Sequence, residues 1–149
     1  MRPSASPPPA SAARQTAQSR YTTDQLYSIF NTKLADFLED VEPIIGHLSE
    51  YTVIKSTVAL MTRMSPSNNH VAFMYYVGNA YGEKLKSHDE SFFIETDYTV
   101  YDEYVSTPDI ISLLKRMWLN MSVQDKNAVW DHLDVLILVS EQIQTRVAS

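Results

Sequence analysis

Between residues 26 and 41 the apolar side chains fall at Leu26, Ile29, Phe30, Leu34, Phe37, Leu38 and Val41. This i, i+3, i+4 spacing puts them on one stripe of an α-helix, whereas a strand would divide them between two faces. Thr22 or Thr23 can cap the helix, and Asp24 lies in the first turn, where the helix dipole favours a carboxylate. The helical pattern then continues along the chain. Pro43 is expected to end the first helix and open the second, where Ile44, Ile45, Leu48, Tyr51, Val58 and Met61 mark a rougher stripe to about Met64.

The run MSPSNNH at 64–70 is a break, after which HVAFMYYVGNAYGEKLK is apolar on nearly every side. Such a pattern is expected of a central helix, surrounded by others. Gly78 and Gly82 lie one turn apart on it, and two bare backbones on one face predict close packing against a neighbouring helix or ring. Thr107, Pro108 and Asp109 supply cap, first-turn proline and first-turn acid for a fourth helix bearing Ile110, Leu113, Leu114, Met117, Trp118 and Met121. Ser122 with Asp125 opens a fifth, where Val129, Trp130, Leu133, Leu136, Ile137, Ser140 and Ile143 recur at helical spacing. Across so short a turn, Trp118 and Trp130 are expected to anchor the corner as core residues. The expected architecture is all-α: a five-helix bundle with a central apolar helix and a C-terminal antiparallel helical hairpin.

The length of 149 residues suits one core. Residues 1–20 contain Arg2, Arg14 and Arg20, four prolines and no acid, so the rest of the chain carries nine basic side chains against all eighteen acids. The first part is therefore +3 and the rest −9. Without apolar residues to bury, 1–20 reads as a disordered basic tail before a single acidic domain at 21–149. A transit peptide is disfavoured by the prolines at 7–9, which interrupt an amphipathic helix. A docking arm for an acidic partner or nucleic acid is the other alternative.

With no cysteine, disulfides, thiolate metal sites and cysteine nucleophiles are excluded. The same absence makes a reducing, intracellular setting the default, and a soluble chain is expected because the longest uncharged apolar stretch near the C-terminus, VLILV, is far too short to span a bilayer.

Between the central helix and the hairpin lies HDESFFIETDYTVYDEY, residues 88–104, with six carboxylates, five aromatic rings and no lysine or arginine. It matches neither the alternating oxygen ligands of a calcium loop nor the paired histidines of a zinc helix, so no metal or cofactor is assigned. No catalytic residue is assigned either. Asp89, Glu90, Glu95, Asp97, Tyr98, Tyr101, Asp102 and Glu103 are instead candidates for an interaction surface, on a wrapping segment in which a short helix would fit. Its partner would be a protein with a basic surface or a second copy of the chain. Direct nucleic-acid binding is disfavoured by the acidic body, and no membrane insertion is expected. The competing reading is a small metal- or carboxylate-dependent enzyme using His88, Asp89 and Glu90 with His70 or His132.

The segments KLKSHDESFF, 84–93, and LLKRMWLNMSVQDKNAVWDHLDVLILVS, 113–140, resemble small helical proteins encoded by large nucleocytoplasmic DNA viruses. The shared pattern is a lysine-proximal Asp-Glu-x-Phe-Phe box, a Leu-Lys-x-x-Trp helix, a Ser-centred turn and a Trp-x-x-Leu-x-x-Leu helix. His132 stands where the pattern has an aromatic residue. The resemblance implies a viral origin, an all-helical domain and a place in a virus particle or the host cytoplasm. It brings no functional residues with it.

Overall fold

A computed structural model of the chain describes residues 21–95 and 110–148. The expectations for 1–20, for the cap at 107–109, and for Asp97, Tyr98, Tyr101, Asp102 and Glu103 lie outside the described residues. Within them all regular structure is helical: α1 (Thr23–Ile45), α2 (Ser49–Met64), α3 (Asn68–Phe73), a π turn (Met74–Gly78), α4 (Asn79–Lys86), α5 (Ser91–Glu95), α6 (Ile110–Met117), a 3-10 turn (Trp118–Asn120) and α7 (Val123–Ala148). α3, the π turn and α4 run on without interruption as the third rod of a five-helix bundle, and α5 is the short extra helix after it.

The start of α1 follows its capping chemistry. Gln25 N–H donates to Thr22 Oγ1 at 3.0 Å, and Thr22 N–H donates to Gln25 Oε1 at 2.8 Å, so two otherwise orphaned amides are satisfied. The end differs from expectation, because α1 passes through Pro43 to Ile45. Pro43 forgoes the amide bond to the Glu39 carbonyl and crowds that carbonyl, but only two residues of the helix follow it. The break falls instead at Gly46, where a Cβ would lie 2.5 Å from the Glu42 carbonyl oxygen. Tyr51 fixes the next helix by donating its hydroxyl to the Leu38 carbonyl at 2.6 Å. Burial and the adjacent Glu42 push that phenol up to about 12.

α1 and α7 make the most extensive contact and lie antiparallel. Asp40 meets His132 at one end, while Tyr27 and Ile143 line one cavity at the other. Phe30, Phe37, Leu133 and Leu136 fill the seam at 1% exposure or less, and each such side chain contributes about 1.5–3 kcal/mol of burial. The third rod touches α1, α2 and α7, as a central helix does. Its burial is one-sided, however, because Val71 and Tyr75 remain 60% and 74% exposed.

The glycine expectation needs correction. A Cβ at Gly78 would meet the side chain of its own helix, with Met74 Sδ at 2.8 Å. At Gly82 it would meet nothing within 4 Å. Instead of a close helix crossing, the two glycines border a cavity of about 470 Å³ whose far wall is Ile137, Ser140 and Glu141 of α7.

α6 and α7 form the C-terminal hairpin through the 3-10 turn. Ser122 Oγ accepts from Asp125 N–H at 3.0 Å, which is the cap the spacing predicts. Trp118 is fully buried and Trp130 is 8% exposed. Their rings meet at 5.5 Å and 74°, so the two tryptophans do anchor the corner.

Candidate functional site

The residues that open the acidic aromatic segment are built into this corner. α4 ends with Asp89 N–H donating to the Lys84 carbonyl at 2.9 Å and His88 N–H donating to the Leu85 carbonyl at 3.2 Å. These paired bonds form a Schellman cap, whose turning residue adopts the left-handed conformation and is usually glycine. Here it is His88, at φ 54°, the sole positive-φ residue other than glycine among those described. A side chain in this conformation costs about 1 kcal/mol. The imidazole offsets that cost by stacking on Trp130, with centroids 4.8 Å apart and planes at 12°. Its Nε2 also lies 2.9 Å from both carboxylate oxygens of Asp134.

The next residues bond back onto the fold as well. Asp89 accepts from Ser91 N–H at 3.1 Å and from the Ser91 hydroxyl, which starts α5 and holds the Asp89 carboxyl below its ordinary range. Glu90 accepts from Lys126 Nζ at 3.0 Å and from the Trp118 indole N–H at 2.9 Å. The Lys126 bond, then the Trp118 bond, hold the Glu90 carboxyl low. Phe93 stacks on Trp118 at 4.0 Å and 8°, and meets the Trp130 ring edge-on at 5.2 Å. Glu95 is the last residue of α5.

Three alternate residues thus strap the turn to α7: Lys86 to Glu141, His88 to Asp134 and Glu90 to Lys126. Seven and then eight residues of α7 separate these anchors, about two helical turns per step. These contacts are partly exposed and individually weak. Most of the attachment comes from the rings beneath them.

His88, Asp89 and Glu90 therefore face separate partners and do not converge on a common point. His132, on α7 between Trp130 and Asp134, faces α1 instead; it stacks on Phe37 at 5.2 Å and its Nε2 lies 2.6 Å from Asp40 Oδ2. His70 is 6% exposed beside the rings of Tyr27 and Phe30. The Ser140 hydroxyl donates to Met74 Sδ at 2.8 Å and lies 2.8 Å from His70 Nε2. With the hydroxyl proton used on sulfur, Nε2–H is the donor of the second bond. Burial lowers the His70 pKa, favouring a neutral ring. The sequence signal for this arrangement was a serine on an otherwise apolar stripe of α7, but its partner on a distant helix was invisible.

Among the described residues, no group of three or more His, Asp or Glu side chains could hold a metal ion. The displaced carboxyls there, Glu42, Glu50, Asp89 and Glu90, all titrate low, each led by a hydrogen-bonding side chain. A general acid requires the opposite displacement. No described helix is long and apolar enough to cross a membrane. Comparisons with protein-family models, curated proteins and solved structures find no match. The fold and site define a small all-helical protein compatible with a structural or interaction role.

Proposed function

We propose that this chain is a non-enzymatic interaction or assembly protein, with residues 89–103 as its contact segment and a basic protein surface or a second copy as partner. The observation that carries the reading is the commitment of His88, Asp89 and Glu90 to a Schellman cap, a helix cap and an indole. Each makes a fold-holding contact, which leaves the nominated chemistry without a common centre. The same contacts fix the start of the segment through Phe93 and the Trp118–Trp130 corner, and Ile111, Leu113 and Leu114 bury its return into α6.

Tyr98→Ala and Tyr101→Ala test this directly in a self-association or partner-binding titration. Each should weaken association while leaving the thermal transition in place. Unfolding of both variants would assign the rings to the core and end the proposal. The viral part of the reading rests on the resemblance of 84–93 and 113–140. Its test is quantitative mass spectrometry of particles from the presumed source, with a fixed high copy number supporting assembly and absence from particles refuting it.

A further inference from the structure

A groove of about 1300 Å³ runs between the outer faces of α1 and α2, and it has no assigned occupant. Small side chains, Ser28 and Ala35 from α1 with Ala59 from α2, line it and let an incoming main chain lie close. Its walls are charged unequally. α1 contributes Asp24, Glu39 and Glu42, while α2 contributes Lys55 and Arg63. Glu42 and Lys55 pair with each other at 3.1 Å. Asp24 and Glu39 make no ion pair among the described residues, so the α1 wall keeps two uncompensated carboxylates.

We propose that the occupant is residues 1–20 of the same chain, folded back along the α1 wall. This segment joins α1 at Tyr21, about one turn from the mouth of the groove at Asp24. It carries three arginines and no acid, with alanines at 10, 12, 13 and 17 that suit a shallow floor. Its spacing also matches. Asp24 and Glu39, fifteen positions apart, are separated by about 22 Å along a helix axis. Arg20 and Arg14, six positions apart, span about 19 Å in an extended polyproline-like run, and their side chains reach across the remainder. Arg20 thus falls beside Asp24 and Arg14 beside Glu39. Arg63 on the opposite wall repels both, confining the segment to the α1 side. Covalent attachment supplies an effective concentration of about millimolar order, so exposed ion pairs too weak to hold a separate peptide populate the docked state as a minor component. The inference concerns a different face from the 89–103 contact segment and is independent of that reading.

The absence of cysteine makes a clean test possible in the full chain. Nitroxide labels at Ser11→Cys and Ser56→Cys, the latter an exposed α2 position outside the groove lining, read by double electron–electron resonance at low salt, should give a narrow short-distance component. Arg14→Glu and Arg20→Glu should each reduce that component about two- to fivefold, as should molar salt. A single broad distribution, unchanged by charge reversal, would overturn the proposal, and so would a narrow component that survives reversal of both arginines. Excess unlabelled protein should leave the component intact. Its loss would show docking between chains and refute the folded-back arrangement. Circular dichroism of each labelled variant would show that the helices are retained.

Discussion

Replacing Gly82 with alanine should make the protein more stable, although glycines paired at this spacing usually suggest a packing requirement. Gly82 lies in α4, and no glycine has positive φ among the described residues, so alanine can adopt the existing backbone. The added methyl would meet no heavy atom within 4 Å. What remains is the propensity difference between glycine and alanine inside a helix, about 0.8–1.0 kcal/mol in hosts and about 0.4–1 kcal/mol in proteins. For a domain of this size the gain corresponds to roughly 2–6 °C in Tm. Gly78→Ala is the matched control, one turn earlier. Its methyl would lie 2.8 Å from Met74 Sδ, the sulfur that accepts the Ser140 hydroxyl. Moving that sulfur weakens a hydrogen bond worth about 1 kcal/mol and cancels the propensity gain. Urea denaturation followed by circular dichroism, with m checked for constancy, should separate the variants by about 1 kcal/mol, with Gly82→Ala the more stable. If Gly82→Ala destabilises the protein, another element approaches that glycine closely and the open-groove description is wrong.

The left-handed cap gives an ordered pair of variants: His88→Ala should lose about 1–2 kcal/mol with its stack and its hydrogen bond to Asp134, while His88→Gly should recover about 1 kcal/mol by relieving the backbone. Equal stabilities in guanidinium titrations would contradict the assigned strain. Trp118→Ala should cost about 3–5 kcal/mol, because it empties a fully buried site and releases both Phe93 and Glu90; a loss below about 1 kcal/mol would remove the corner from the core. Acid should act first through His70. Its folded pKa is lowered, so the unfolded chain binds the proton more readily, and stability present above about 6.5 is lost as pH falls toward the folded value. His70→Gln should flatten this limb in denaturation curves measured from about pH 7.5 to 5. Glu90 and Asp89, also lowered, contribute above their unfolded values near 4 and lose that contribution on further acidification.

Helix faces were legible because burial and the 3.6-residue period impose the same pattern on Leu26 to Val41 and on Val129 to Ile143. The caps at Thr22 and Ser122 were legible because capping is local chemistry. Three features were hidden for physical reasons. Pro43 marks a helix end only when it falls before the last turn. Gly78 and Gly82 have the same sequence signature whether a neighbour is pressed against them or absent. His88 fills a cap position that sequence rules reserve for glycine, since the stack that compensates it comes from Trp130 on a distant helix. The same limit applied to the candidate site: Asp89 and Glu90 read as surface acids because their obligations to Ser91, Trp118 and Lys126 depend on three-dimensional placement.

The corner at Trp118 and Trp130 also makes the protein its own optical gauge. The chain has two tryptophans, and both are in that corner. Indole emission and the near-ultraviolet dichroism of the coupled rings will report the seating of His88 and Phe93, whereas far-ultraviolet dichroism averages over all helices. A ligand, partner or substitution that loosens the strap while sparing the rods would change the first two signals and leave the third steady. No label would be needed to localise that event to one end of the bundle.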